Sequence, residues 1–202
     1  MYESLEEILD QELFNISNVK VIYDDFLKRD IKSDLLKYSY HHLYVVANLP
    51  YYITTPIITR LVEDSIDVEK VVVMIQKEVA DRFCAKPGSR EYGSITVFLN
   101  YFFDLKKEFL VNRNLFIPKP NVDSIVISLT KKDNLLPLRN PELFFKLVRD
   151  SFHFKRKTLR NNLKEYNLTK IEEVLEKYNM DLSVRAENLS LEIFVDISNQ
   201  LA

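Results

Sequence analysis

The chain has 202 residues, 47% of them hydrophobic and 29% charged, with a net charge of −2. That length and apolar content support one sizeable core, or one core with a small appendage; the near-neutral balance means that a nucleic acid would have to be met by a local patch. The single cysteine, Cys84, excludes a disulfide framework and any multi-cysteine metal or iron–sulfur site within the chain, and suits a reducing cytoplasm.

Residues 2–14 place Leu5, Ile8, Leu9 and Leu13 on one helical face, the spacing of an amphipathic helix. The opening "MYESLEEILDQE" is too acidic for a signal peptide, and no apolar run approaches a membrane span, so a soluble cytoplasmic protein is expected. "VKVIY" (19–23) reads as a strand running into "DDFLKRD", followed by a short helix at 31–37 and the strand "LYVVA" (43–47). A helix at 56–64, the strand "KVVVMIQ" (70–76) and a helix at 77–86 come next. Apolar, β-branched strands alternating with helices predict a parallel sheet covered on both faces. After "PGSREYG" the pattern lengthens into "SITVFLNYFF" (94–103), "KKEFLVN" (106–112) and "SIVISLTKK" (124–132), expected as an antiparallel finish to the same sheet. Beyond Asp133 the periodicity is helical, at 141–152, 156–165, 168–179 and 190–201. An α/β domain over 1–132 and a small all-helical domain over 133–202 are expected.

Two features bear on chemistry. The chain has two glycines, Gly88 and Gly93, where average usage predicts roughly fourteen, so it contains no glycine-rich loop to cradle a nucleotide. "ANLPYYITTP" (47–56) leaves a buried-looking strand through Asn48, Pro50 and two adjacent tyrosines. A turn with a half-wet aromatic explains this much, and an Asn-x-Pro-aromatic run arises by chance on the order of 0.1 times in a chain this long. Its place matters more, because open α/β sheets bind ligands at the carboxyl ends of parallel strands. Asp24 and Asp25 end the preceding predicted strand in the same way.

An amine conjugated to a purine is a poor nucleophile. An amide oxygen (Asn48) and a backbone carbonyl (near Leu49 or Pro50) could accept its two N–H bonds and favour a pyramidal nitrogen. The ring of Tyr51 or Tyr52 could hold the base by stacking, worth ~1–3 kcal/mol. Deamination would need a zinc site with paired cysteines, which one cysteine cannot supply. Transfer of a group onto the amine is left.

Six segments in order resemble the ribosomal RNA adenine dimethyltransferases: "DDFLKRD" (24–30), "NLPYYITTP" (48–56), "VVMIQKEVADRFCAKPGSREYGSITV" (72–97), "FIPKPNVDS" (116–124), "SFHFKRKTLRNNL" (151–163) and "RAENLSLEIF" (185–194). The resemblance implies a Rossmann-like methyltransferase sheet followed by a small helical domain that recognises rRNA. The implied reaction moves methyl groups from S-adenosylmethionine to the exocyclic amines of two adjacent adenines near the end of small-subunit rRNA. Carried over, Asp25 corresponds to the acid on the cofactor's adenine amine, and Asn48 to the residue touching both cofactor and target amine. Tyr51 corresponds to the stacking ring, and Phe116 to a second aromatic of the target pocket. A helix cap for Asp25 and plain core for Phe116 are the competing structural readings.

The family's opening strands, with their glycine-rich loop and ribose-binding acid, have no counterpart in this sequence. The resemblance therefore implies weak binding of S-adenosylmethionine and lost strand partners for 19–23 and 43–47.

Between Arg149 and Lys164 there are six basic residues (Arg149, Lys155, Arg156, Lys157, Arg160 and Lys164) against one acid, Asp150. Arg156, Arg160 and Lys164 recur every four residues, opposite Leu159 and Leu163. The cluster is either a solvated helix face or, as the resemblance implies, a contact with rRNA phosphates in the immature small subunit. His41, His42 and His153 form no ligand spacing with the cysteine and read as surface residues; no metal is expected, and the chain is expected to act as a monomer. A second reading is a non-catalytic RNA-binding or assembly module; a third, an amino-methyltransferase acting on DNA, is disfavoured by "FIPKPNVDS" and "RAENLS", which resemble the rRNA family.

Overall fold

The structure is a computed structural model that describes residues 2–202, with side chains from residue 6 onward. Two compact units are resolved, one ending at Ser39 and one running from Tyr40 to Ala202.

The first unit carries helix α1 (Tyr2–Leu13) and the short helix α2 (Ile31–Leu35). Asp30 caps α2, its carboxylate accepting from Ser33 N at 3.0 Å, a good N-cap arrangement. Residues 19–23, expected as a strand, are not in a strand here. A strand is defined by its ladder, and an apolar β-branched run without a neighbouring strand leaves its N–H and C=O groups to water. Ile22 and Tyr23 are exposed.

The second unit is built on a four-stranded sheet in the order β1 (Tyr44–Asn48), β2 (Lys70–Gln76), β4 (Ser124–Lys131), β3 (Phe103–Val111). β1 and β2 are parallel; β2–β4 and β4–β3 are antiparallel, with a bulge between Lys107 and Phe109. The parallel start and antiparallel finish match the sequence reading. β1 lies at the sheet edge with Tyr44 and Val46 exposed. β2 alternates strictly, with Val71, Val73 and Ile75 buried. Helices α3 (Thr54–Glu63) and α4 (Lys77–Phe83) follow β1 and β2.

The segment 94–103 corrects the sequence reading. Ser94–Phe102 forms helix α5, and β3 begins only at Phe103. The β-branched and aromatic composition favoured a strand, but tertiary packing overrode that preference. Thr96 Oγ1 accepts from Gly93 N at 3.1 Å and donates to Arg82 O at 2.7 Å, fixing the first turn. The aromatic side chains then enter a helical core: Phe98 lies 5.4 Å from Phe145, and Tyr101 lies 5.3 Å from Phe144, between ring centroids.

That core is completed by α6 (Pro141–Ser151), α7 (Leu159–Asn162), α8 (Leu168–Glu176) and α9 (Leu191–Leu201), with Phe144, Leu159, Leu163, Ile171 and Phe194 fully buried. α7 is a second correction. It spans four residues where 156–165 was expected, so Arg156 and Lys164 lie outside it and the four-residue stripe is not a helix face. Leu159 and Leu163 do face inward, as their spacing indicated. Among the described residues, no helix is long and apolar enough to cross a membrane, and no group of three or more His, Cys, Asp or Glu could hold a metal ion.

Candidate active site

β1 ends on Asn48, in register with Met74 of β2. The ladder closes one residue later, where Leu49 N donates to Met74 O at 3.3 Å. Pro50 lacks an N–H and turns the chain away from the sheet. Its carbonyl accepts from Ile53 N and from Thr54 Oγ1, each at 3.2 Å, and α3 starts directly after. Asn48 is therefore held at the strand's carboxyl end on a rigid strand–turn–helix unit. Its side chain is exposed and forms no hydrogen bond among the described residues.

Asn48, Tyr51 and Phe116 line one cleft of about 310 Å³, together with Leu49, Pro50, Pro118 and Pro120. The proline-rich 116–120 wall has a cis Ile117–Pro118 bond. Phe116 is half-buried and lies in this wall, so the plain-core alternative does not describe it. Tyr51 is half-buried and Tyr52 is 85% exposed, outside the lining. The tyrosine that faces the cleft is thus Tyr51. Its hydroxyl sits 2.8 Å from the Oγ of Ser124, the buried first residue of β4.

Ser124 is the residue that sequence reasoning missed. It stood at the end of "FIPKPNVDS", but nothing in the chain order showed that antiparallel pairing would bring β4's first residue under the β1 turn. The same loop is braced by Asp123, whose Oδ1 accepts from Arg113 N at 3.0 Å, and by the Arg113 guanidinium, which donates to Asn121 O at 2.8 Å. The cleft is at the lower edge of small-molecule sites, about 300–1,000 Å³, a size for one flat ring system.

Asp25 lies in the first unit, on the surface. Its Oδ1 accepts from Leu27 N at 3.0 Å and its Oδ2 lies 3.5 Å from Lys28 Nζ. The carboxylate thus makes a local turn and keeps lone pairs free for a donor. Beside it, Asp24 is held below the usual carboxylate range by the Asp25 N–H and by Arg29.

The basic residues divide into engaged and free ones. Arg160 lies 3.6 Å from Glu172 and Lys164 lies 3.7 Å from Glu165. Lys155 donates to the carbonyl of Arg90. Arg149, Arg156 and Lys157 form no side-chain ion pair among the described residues. His42 pairs with Glu69 on the surface, and His153 is exposed.

Residues 1–202 match the family model described as ribosomal RNA adenine dimethylase. The ribosomal RNA small subunit methyltransferase A of Enterococcus faecalis is 42% identical over 208 residues, covering 98% of this chain and 70% of that protein. Among solved structures, a dimethyladenosine transferase from Plasmodium falciparum superposes with a TM-score of 0.76 at 26% identity, covering 98% of this chain and 78% of the other. The 23S rRNA methyltransferase ErmE, at 22% identity and a TM-score of 0.72 over 98% of this chain and 78% of its own, shares the fold. The sheet is Rossmann-like, with a helical C-terminal part. By its family match and its relatives, the chain belongs to the ribosomal RNA adenine dimethylases.

Proposed function

We propose that this chain is an rRNA adenine dimethyltransferase. It carries methyl groups from S-adenosylmethionine to the exocyclic amines of two adjacent adenines near the end of small-subunit rRNA. The observation that carries this reading is the convergence of Asn48, Tyr51 and Phe116 on one base-sized cleft at the end of β1. Tyr51 and Phe116 supply the apolar and aromatic walls that hold a flat base out of its stack. The amide oxygen of Asn48 accepts one N–H of the amine. Pro50's carbonyl already accepts twice, which favours Leu49's carbonyl, with no hydrogen bond among the described residues, as the second acceptor. Two acceptors at fixed positions draw the amine out of conjugation and aim its lone pair, which is catalysis by orientation and preorganised dipoles.

The side chains of the cleft fit one end of S-adenosylmethionine. In the second unit Asn48's unpaired amide suits the reacting end, while no glycine-rich loop among the 202 residues cradles the remainder. When bound, that molecule supplies an electrophilic methyl group on a sulfonium. The amine would form the new N–C bond as the methyl's bond to sulfur breaks and the sulfonium leaves as a neutral thioether, and the surplus proton would pass to water at the open mouth of the cleft.

A division of labour near residue 132 follows, with the sheet side handling the base and 133–202 recognising rRNA in the immature small subunit. We infer a cytoplasmic monomer. A non-catalytic RNA-binding module would have no use for an unpaired amide between two aromatic walls. The test is transfer of labelled methyl from S-adenosylmethionine to small subunits lacking the modification, with already modified subunits as control. With S-adenosylmethionine raised to saturation, to offset the weak binding that the missing glycine-rich loop implies, label in the first and not the second is expected; no label in either would overturn the reading.

A further inference from the structure

The loop between α6 and α7 holds an aromatic ring that methyl transfer does not use. Phe154 is 58% exposed. A single exposed apolar residue needs no explanation by itself. What distinguishes Phe154 is the way its backbone is held. Asn162 clamps it from both sides: its Oδ1 accepts from Phe154 N at 3.3 Å and its Nδ2 donates to Phe154 O at 3.2 Å and to Ser151 O at 2.7 Å. Lys157 N adds a bond to Phe154 O at 2.9 Å. Asn162 is itself carried between the buried Leu159 and Leu163. Two residues earlier Phe152 packs on Tyr92 and Phe194, so the loop sends one ring into the core and presents the next to water from a fixed backbone.

Three cationic residues follow that ring along the chain. His153 stands edge-on, 4.3 Å between centroids. Lys155, Arg156 and Lys157 follow directly and all are exposed. Lys155 is tied to the carbonyl of the exposed Arg90, and Arg156 and Lys157 form no ion pair among the described residues. An exposed aromatic ring on a fixed backbone, followed by the unpaired cations Arg156 and Lys157, has the chemistry of a single-stranded nucleic-acid platform, in which the ring takes a base and the cations take the adjoining phosphates.

We infer that Phe154 stacks an unpaired base of the RNA other than the target adenine, with Arg156 and Lys157 on the flanking phosphates. The inference rests on the RNA substrate proposed above. The nucleotide is distinct from the target because Phe154 is not part of the Asn48–Phe116 cleft. A duplex keeps its bases stacked on one another, so the platform selects a loop, bulge or end.

The experiment measures affinity for the small-subunit rRNA fragment at low and high salt, with Phe154→Ala, Phe154→Leu and Phe154→Trp. Phe154→Ala is expected to weaken binding by roughly ten- to hundred-fold. The loss should be the same factor at both salts, because stacking releases no counterions. Phe154→Trp should bind at least as well as the parent, and Phe154→Leu should fall with Phe154→Ala. Unaltered thermal unfolding of the three variants is expected, since the ring is outside the core. Parental affinity in Phe154→Ala, or full affinity in Phe154→Leu, would overturn the stacking role while leaving the methyltransferase reading intact. Failure of the parent chain to bind the fragment at all would overturn both.

Discussion

The hydroxyl of Tyr51 lies 2.8 Å from the Oγ of Ser124, joining the turn after β1 to the first residue of β4. One wall of the base-sized cleft is therefore held by a strand that pairs two positions away in the sheet. On the proposed reading the ring does the stacking, and the hydroxyl holds the ring. Tyr51→Ala should lower methyl transfer by roughly ten- to hundred-fold, the worth of one stacked base. Tyr51→Phe and Ser124→Ala should each cost only about two- to ten-fold, the worth of one net hydrogen bond. The double variant should be no worse than Tyr51→Phe alone, since both remove the same contact. Steady-state kinetics checks this; a Tyr51→Phe as damaging as Tyr51→Ala would move the role from the ring to the hydroxyl.

Arg156 and Lys157 are free of ion pairs among the described residues, whereas Arg160 faces Glu172 at 3.6 Å. Arg156→Glu should reduce the salt slope of rRNA binding by about one per lost phosphate contact. Arg160→Glu should reduce it less. The loss should fall on all RNAs alike, because phosphate contacts position without reading sequence. Filter binding across a salt series checks it, and an unchanged slope in Arg156→Glu would make the cluster an ordinary solvated surface.

Asp150 gives a pH prediction. Burial raises its pKa, but hydrogen bonds from Lys146 and Tyr166 outweigh this and hold the carboxyl below its usual range. Lys146 Nζ stands 2.7 Å and the Tyr166 hydroxyl 2.6 Å from Asp150 Oδ2. A carboxylate with a lowered folded pKa adds stability that is present above the unfolded value, about 3.9, and lost as pH falls through the folded one. Asp150→Asn should therefore cost about 0.2–1 kcal/mol at neutral pH, as for a largely solvated pair. The gap should close in strong acid. Urea unfolding at neutral and acid pH checks it, and a gap that persists unchanged in strong acid would contradict the assignment.

What the chain order revealed and what it hid have physical reasons. β2 was legible because Val71, Val73 and Ile75 are buried on a strict two-residue period. α5 was not, because its aromatic residues also satisfy strand preference and its helical state depends on Phe144 and Phe145, some forty-five residues later. Residues 19–23 have strand composition, yet composition supplies no partner. α7 was over-extended because Leu159 and Leu163 keep helical spacing although only Leu159–Asn162 forms a helix. At the site, the family resemblance singles out Asn48, Tyr51 and Phe116, and all three line one cleft. The choice of Tyr51 over Tyr52, the double occupation of Pro50's carbonyl and the anchoring by Ser124 are products of folding.

The central claim is that the Asn48 amide prepares an adenine amine for methylation. The most direct measurement is mass-spectrometric nucleoside analysis of small-subunit rRNA after incubation with saturating S-adenosylmethionine and either the parent protein or Asn48→Ala. The account predicts N6,N6-dimethyladenosine with the parent and none with Asn48→Ala, while both bind the subunit with similar affinity, since the amide touches no phosphate. Dimethyladenosine made equally by Asn48→Ala, or methyl groups placed on a nucleotide other than adenine, would contradict it.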